Sequence, residues 1–328
     1  MQTVLVTGAS AGLGLALARR LVAMPEYRVI LTARESSLSR LAQAGIVESE
    51  RVWLRPLDVI DADQRRRVVA EATRRWGGVD ILINNAGVSY RSVVEHVSER
   101  ERLAQMDINF RSPMELIRLV LPGMRAKGRG RIINVSSVSG MMAMPTMAVY
   151  TASKVALEGA TEALWYEVKP WNIKVSLVEP GFINSRSFQR VRMTELSSRS
   201  TVDPAEPYHA HYRHMAPFIE RMMTRAIATP DRVAKKIIKT MQRAHPPLRI
   251  PATIDAWLFA TLRRFLPRRL YHYVLYRSLP RVSGWGAPGP FELAQTASMA
   301  LPAGNDLNTG HSEPLLGMEH VHSPRRSS

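Results

Sequence analysis

The chain has 328 residues, 45% of them hydrophobic, enough for one large α/β domain or two smaller ones with a substantial core. It contains no cysteine, which excludes thiol nucleophiles, disulfides and thiolate metal sites and fits a reducing compartment. Its 45 basic and 28 acidic side chains give a net charge of +17, which favours anionic partners: nucleic acid, an anionic membrane face or phosphate-bearing ligands.

The sequence shows no targeting or membrane-spanning pattern. Met1-Gln2 leads directly into the apolar Val4-Leu5-Val6 with no basic segment before it, which argues against a secretory signal. No run approaches the ~18 consecutive apolar residues that a spanning helix needs. We therefore expect a cytoplasmic protein that is either soluble or peripheral at a membrane surface.

Short apolar, β-rich runs alternate with amphipathic segments from the start of the chain. The runs predict strands at Thr3–Thr7, Arg28–Ala33, Val52–Leu57, Val79–Asn84, Arg131–Ser136 and Lys174–Val178, with a short last strand at Leu248–Ile250. Helices are predicted at 12–24, 61–76, 98–127, 148–170 and about 231–243. This pattern indicates an α/β fold with a doubly wound parallel sheet of about seven strands, helices on both faces, and a Rossmann-type domain at 1–251.

Three regions lie outside this pattern. Residues 182–225, after Pro180-Gly181, form a long irregular stretch typical of a substrate lid. Residues 252–282 predict an amphipathic helical extension, because 253–282 combine helical apolar spacing with six arginines, six aromatics and one acid, Asp255. Such an extension either lies on an anionic bilayer or packs on the domain or a neighbouring subunit. In 283–328, Gly, Pro and Ser fill 17 of 46 positions, which predicts a disordered tail.

A glycine-rich turn separates the first strand from the first helix. The segment runs Thr7-Gly8-Ala9-Ser10-Ala11-Gly12-Leu13-Gly14. At this place backbone N–H groups and a helix N-terminus can hold a pyrophosphate. We expect Gly8, Ser10, Gly12, Leu13 and Gly14 to contact a dinucleotide.

The end of the second strand carries a cation where a NAD site would offer an acid. Ala33 and Arg34 stand there, and an arginine favours the 2′-phosphate of NADP. Glu35 follows directly and could weaken that preference, or Arg34 could simply be solvated. We expect NADP(H) to be preferred over NAD(H).

Tyr150 and Lys154 are four residues apart at the start of a predicted helix and so share one face. A free phenol has a pKa of about 10, and a nearby cation favours the phenolate, so we expect Lys154 to make Tyr150 a general acid/base. Ser137 ends the preceding strand at the edge where α/β sheets bind ligands, and its hydroxyl can bond a carbonyl or alcohol oxygen. Ser136 is the alternative.

These motifs, in this order, resemble the short-chain dehydrogenase/reductase family over roughly residues 1–250. Four further matches support the resemblance: Asp58 after the third strand, Asn84-Asn85-Ala86-Gly87 after the fourth, Asn109 in the next helix, and Pro180-Gly181 after the sixth. The segments around Tyr150 are similar to those of the hydroxysteroid and retinol dehydrogenase branches.

The resemblance implies roles for these residues. Asp58 and the Asn85-Ala86-Gly87 backbone would line the adenine side of the pocket, and Asn109 would hold a water that links Lys154 to solvent. The cofactor contacts would include Pro180, Gly181, Ile183 and Ser185; the serine replaces a threonine and keeps the hydroxyl for the nicotinamide carboxamide. Family members often form dimers or tetramers, so a homodimer or homotetramer is expected.

We expect reversible hydride transfer between NADP(H) and a carbonyl/alcohol pair, with Ser137, Tyr150, Lys154 and Asn109 as the catalytic set. Met and aromatic residues in 182–225 and before Tyr150 favour a hydrophobic, membrane-derived substrate such as a steroid, retinoid, isoprenoid or long-chain acyl compound, although they equally suit ordinary core. The histidines of the lid lack acids at ligand spacing, so no metal is expected. The alternative is a non-catalytic NADP-binding scaffold that docks through its basic C-terminal helix; nucleic-acid binding is not expected, because the charge is diffuse.

Overall fold

The computed structural model describes residues 1–185 and 191–286, which belong to one compact unit. Its centre is a seven-stranded sheet in the order β3-β2-β1-β4-β5-β6-β7, with every neighbouring pair parallel. The strands are β1 (Gln2–Val6), β2 (Tyr27–Ala33), β3 (Val52–Pro56), β4 (Ile81–Asn84), β5 (Gly130–Val135), β6 (Ile173–Glu179) and β7 (Arg249–Pro251). The predicted fold class is confirmed.

Helices cover both faces of the sheet. Those in the described residues are α1 (Gly12–Val22), α2 (Glu35–Gln43), α3 (Ala62–Trp76), α4 (Glu99–Met106), α5 (Ser112–Ala126), α6 (Ala148–Val168), α7 (Glu195–Val202), α8 (His209–Thr224), α9 (Pro230–Gln242), α10 (Ile254–Phe265) and α11 (Arg268–Ser278). Successive residues of β1 point to opposite faces. Val4 and Val6 pack with α1, α2 and α9, whereas Leu5 packs with α3, α5 and α6.

The order of the strands reverses at β1, since β2 and β3 lie on one side of it and β4 to β7 on the other. Ligands of open parallel sheets bind at the carboxyl ends of the strands beside such a reversal. The segments that follow β1 and β4 meet there. The Asn85 and Ala86 N–H groups both donate to Thr7 Oγ1, each at a distance of 3.0 Å. This pairing closes one side of the crevice.

The structure contains helices that the sequence patterns did not predict: α2, α7 and α8. The stretch 182–225 is therefore largely helical where described, and α8 buries Tyr212, Met215 and Ile219 although Pro217 lies inside it. The predicted helical extension at 252–282 contains α10 and α11. The predicted helix 98–127 is instead α4, a π-helical turn at Asp107–Arg111, and α5. Beyond Gly286, the predicted disordered tail lies outside the described residues. None of the described helices is long and apolar enough to span a bilayer.

Candidate active site

One large cavity of about 1120 Å³ lies at the carboxyl edge of the sheet. The following predicted site residues line it: Gly8, Ser10, Gly12, Leu13, Gly14, Arg34, Asp58, Asn85, Ala86, Gly87, Ser137, Tyr150, Lys154, Pro180, Gly181 and Ile183. Two predicted residues, Asn109 and Ser185, are described by the structure but do not line the cavity. The fold thus brings almost all of the predicted site together.

Two glycines of the glycine-rich turn differ in their surroundings: Gly14 is in close contact with the turn, whereas Gly12 faces open space. A Cβ on Gly14 would lie 2.0 Å from the Gly8 carbonyl oxygen, so this position must stay bare for the helix to approach the turn. Gly12 has φ +52° and open space where a Cβ would stand. No side chain caps α1 at Ala11, which leaves N–H groups of the first turn without a side-chain acceptor. The turn therefore fits a pyrophosphate.

Arg34, Ser37 and Arg40 line the far end of the cavity, beyond the carboxyl end of β2. Both arginines are exposed, and neither forms an ion pair within residues 1–185 and 191–286. Glu35, which could have opposed Arg34, is not among the lining residues. Sequence reasoning missed Ser37 and Arg40 because it did not predict α2, the helix that carries them.

Three consecutive residues at the end of β5 meet α6 at positions one turn apart. The Val135 carbonyl accepts a hydrogen bond from Lys154 Nζ (3.0 Å), and Ser136 Oγ donates to Glu158 Oε1 (2.7 Å). Ser137 lies on the cavity wall with Tyr150. The alternative, Ser136, also lines the cavity, but its hydroxyl is committed to Glu158, whereas the Ser137 hydroxyl neighbours the Tyr150 phenol.

The pKa values of the Tyr–Lys pair differ from the expectation. Burial raises the pKa of the Tyr150 phenol, and the neighbouring Ser137 hydroxyl opposes that rise. Burial also lowers the pKa of Lys154 to about 8, against the charge of Glu158, which raises it. Lys154 Nζ lies 5.8 Å from the Tyr150 ring centroid and is bonded to Val135, so its charge does not dominate the phenol. In this state Tyr150 is a protonated acid, the form that can donate a proton.

Asn109 lies beneath the cavity, in the π-helical turn between α4 and α5. Its Oδ1 accepts from the Val88 N–H (2.9 Å), and its Nδ2 donates to the Val88 carbonyl (2.8 Å) and to Ser153 Oγ (2.9 Å). A Cβ on Gly87 would lie 3.3 Å from Asn109 Oδ1 and 3.8 Å from Lys154 Nζ. Asn109 therefore ties the segment after β4 to α6, next to the lysine. π-turns of this kind occur often at functional sites.

A charge network with two buried carboxylates lies behind the reactive residues. Arg249 of β7 binds Glu158 (2.9 Å), Glu162 (2.7 Å) and Glu179. Glu158 and Glu179 are buried, and burial with the neighbouring Glu158 charge raises the pKa of Glu179 to about 7. A Cβ on Gly140 would fall 1.8 Å from Glu158 Oε1, so the turn after Ser137 packs directly on this carboxylate. No sequence pattern indicates this network, because its members come from three separate elements, α6, β6 and β7.

The opposite end of the cavity is apolar. Its lining there includes Met144, Met147, Phe182, Ile219 and Met223. Met142 and Met144 also pack with Met215 and Ile219 of α8. The residues that the sequence assigned to a lipophilic pocket thus contribute to both the cavity wall and the core; of that set, Phe188 lies outside the described residues.

The C-terminal extension forms hydrogen bonds to the segment after β6, which lines the cavity, and to the turn after Ser137. Thr253 Oγ1 accepts from the Gly181 N–H and Asp255 Oδ2 from the Phe182 N–H, both over 2.8 Å. Arg263 Nη1 donates to the carbonyls of Gly140 (3.0 Å) and Met141 (2.9 Å). One side of α10 therefore packs on the domain.

A family model described as short chain dehydrogenase matches residues 2–196. The chain belongs to the short-chain dehydrogenase family. A 3-ketodihydrosphingosine reductase from Bacteroides thetaiotaomicron is 33% identical over 275 residues, covering 84% of this chain and 96% of the relative. Human 17-beta-hydroxysteroid dehydrogenase type 1 is 30% identical over 274 residues, covering 80% and 78%.

A solved structure gives the same result. The crystal structure of a short-chain dehydrogenase from Streptomyces avermitilis is 30% identical and superposes with a TM-score of 0.71, covering 84% of this chain and 97% of that one. The resemblance predicted from the motifs is confirmed. As a short-chain dehydrogenase, this chain is an oxidoreductase that acts on alcohol and carbonyl groups with a nicotinamide cofactor.

Proposed function

We propose that this short-chain dehydrogenase is an NADP(H)-dependent enzyme that interconverts a carbonyl and an alcohol on a lipophilic substrate. The observation that carries the proposal is the single cavity that joins three parts. It connects the glycine-rich turn, the Ser137/Tyr150/Lys154 group and an apolar end. A binding-only module would not need the reactive group.

The cradle fits the cofactor. The bare Gly12, the uncapped start of α1 and the cations beyond β2 would hold its phosphates, and Asp58 with the Asn85-Ala86-Gly87 segment would line its adenine side. Pro180, Gly181 and Ile183 line the part of the wall expected beside the nicotinamide. When bound, the nicotinamide supplies or accepts the hydride.

The chain's own residues would bind the substrate oxygen and move its proton. In reduction, the Ser137 hydroxyl and the Tyr150 phenol bind the carbonyl oxygen. Tyr150, protonated because burial raises the pKa of its phenol, delivers its proton as negative charge develops on that oxygen. Lys154, held by the Val135 carbonyl, then stabilises the phenolate that remains. Asn109 positions Lys154 indirectly, through Val88 and Ser153.

Replacing Tyr150 with Phe tests this mechanism. We expect NADPH consumption with a panel of hydrophobic ketones and aldehydes to fall by about 10²–10⁴-fold, because the proton donor is lost. Equilibrium binding of NADPH, followed by its fluorescence, should change little. Unchanged turnover would contradict the assigned role, and loss of both turnover and binding would point to a folding defect.

The preference for NADP(H) would come from Arg34 and Arg40. The paired substitution Arg34→Ala and Arg40→Ala should weaken NADPH binding by about tenfold or more and leave NADH binding nearly unchanged, because only NADPH carries the 2′-phosphate. Arg28→Ala is a matched control, since Arg28 lies on β2 but does not line the cavity. Equal weakening for both nucleotides would overturn the assignment.

The outer side of the C-terminal helices would deliver the substrate from an anionic membrane surface. Trp257 and Phe265 are 60% and 74% exposed, and the only acid of 253–282, Asp255, is bonded to the Phe182 N–H. Apolar side chains among arginines suit an anionic bilayer. Co-sedimentation with phosphatidylserine vesicles should be lost in a Trp257→Ser, Phe265→Ser variant that keeps NADPH binding; unchanged co-sedimentation would refute this surface.

A further inference from the structure

The backbone at Arg91 is hydrogen-bonded on one side to Arg192 and on the other to the segment just before Tyr150. The Arg91 N–H donates to the Arg192 carbonyl (2.8 Å), and the Arg192 N–H donates to the Ser89 carbonyl (2.8 Å). On the other side, the N–H of Ser92 donates to the Thr146 carbonyl (2.6 Å), four residues before Tyr150. The backbone on both sides of Arg91 is thus fixed against the walls of the cavity.

The side chain of Arg91 is largely buried, and within residues 1–185 and 191–286 its Nε has no hydrogen-bond partner. Only 9% of the residue is exposed. No ion pair to Arg91 is present among the described residues. Burial lowers the pKa of its guanidinium, and the charge of exposed Glu220 opposes this. A charge buried in this way is costly unless something pairs with it.

Arg91 lines the cavity that contains Ser137 and Tyr150. Arg131 also has a buried, unpartnered nitrogen, but it does not line the cavity. Arg192, a second lining arginine, stacks over Tyr90 (5.7 Å to the ring centroid) and donates to the Tyr90 hydroxyl (3.3 Å). The described part of this wall therefore presents the guanidinium of Arg91, which has no ion pair there, and that of Arg192 beside it.

We infer that Arg91, with Arg192 beside it, binds an anionic oxygen group of the substrate, a carboxylate or a phosphate ester, joined by an apolar chain to the carbonyl that reacts at Tyr150. The inference rests on the proposed function and narrows its substrate class. A guanidinium offers a planar pair of donors that matches such an oxyanion, and the bond is strong in a buried site. Apolar residues of the same cavity, among them Met147 and, on α8, Ile219 and Met223, suit the chain. A substrate with a terminal ammonium would be repelled.

Turnover gives the first test. A series of straight-chain oxo-carboxylates, with the ketone at each position from carbon 3 to carbon 12, is compared with the corresponding methyl esters by NADPH consumption. For the best chain position, kcat/KM should be about tenfold or more higher for the acid than for the ester. In Arg91→Gln the ester should keep its rate, and the ratio of acid to ester should fall to about one.

Arg91→Lys should restore part of the ratio, because it keeps the charge but not the planar donor pair. Arg192→Gln should lower the ratio less than Arg91→Gln does. It also serves as a second variant should Arg91→Gln fail to fold, as judged by circular dichroism. Arg100→Gln is the matched control: Arg100 lines the same cavity but is exposed, so its loss should leave the ratio unchanged.

Binding gives a test that does not depend on turnover. Calorimetric titration of the NADP⁺-loaded protein with decanoate, decan-1-ol and decylamine should show the tightest binding for decanoate, and only that preference should disappear in Arg91→Gln. Equal affinities in the unmodified protein, or a preference that survives Arg91→Gln, would overturn the inference. Preference for decanoate without turnover of any ketone would refute the proposed function and leave the anion site standing. Turnover of acids and esters at equal rates would refute the anion site and leave the proposed function standing.

Discussion

Two groups of buried charge flank the reactive residues, and they differ in their partners. Behind α6, Glu158 and Glu179 share Arg249, and each charge has an opposite charge within hydrogen-bond distance. Across the cavity, Arg91 has no such partner in the described chain. The first group is paired within the fold. The second group lacks an ion-pair partner in the described chain, as expected of a side chain that pairs with a ligand.

The largest effect is expected from removing Arg249, the cation that Glu158 and Glu179 share. Arg249→Met would leave Glu158 and Glu179 buried together without the cation that they share. Breaking a buried pair in this way typically costs about 3–5 kcal/mol, and we expect a loss of unfolding free energy of that order at pH 8 in urea melts. Glu162→Gln, which removes only the exposed partner of Arg249, should cost less than about 1 kcal/mol.

This loss should depend on pH in a defined direction. The pKa of Glu179 in the folded chain is raised to about 7 from a usual 4.5, so the folded state holds a proton that the unfolded state has lost between these values. Stability therefore falls as the pH rises from about 4.5 to 7. Without Arg249 the pKa of Glu179 should rise further, and the destabilisation should be smaller at pH 5 than at pH 8. A loss independent of pH would show that the carboxylates are not its cause.

A smaller effect is expected from Glu158→Gln, because the amide keeps an acceptor for Ser136 and removes only the charge. That charge raises the pKa of Lys154, which burial lowers to about 8. Its removal should move the alkaline limb of kcat to lower pH, since the ammonium then deprotonates earlier. Glu162→Gln is the matched control and should leave the limb in place. An unshifted limb in Glu158→Gln would show that this carboxylate does not act on Lys154.

The sequence predicted those parts of the fold and of the site that depend on residues close together in the chain. The turn at Gly8–Gly14, the Tyr150/Lys154 spacing and the alternation of strands and helices each lie within a short window, so pattern and chemistry could be read together. The residues it missed are brought in by tertiary contacts: Arg249 reaches Glu158 across 91 residues of chain, and the Arg91 N–H reaches the Arg192 carbonyl. No period or motif marks such pairs.

The pKa of the Tyr150 phenol shows a different limit of prediction from sequence. Spacing alone placed Lys154 beside Tyr150 and implied that its charge lowers the pKa of the phenol. In the fold, burial raises that pKa, and the ammonium is bonded to the Val135 carbonyl. The direction of a pKa shift depends on desolvation, which the sequence does not give.

The smallest predicted effect is also the one that separates the two groups most clearly. Arg91→Met replaces an unpaired buried guanidinium with an apolar side chain of similar length, so the ligand-free chain should lose no stability and should gain up to about 1 kcal/mol. Urea melts of the unmodified and substituted chains, without ligand, measure the difference. Decanoate should then stabilise the unmodified chain and have less effect on Arg91→Met, because binding to the folded state raises its stability by mass action. A destabilisation comparable to that of Arg249→Met would mean that Arg91 is paired within the fold after all, and that the contrast between the two sides of the cavity does not exist.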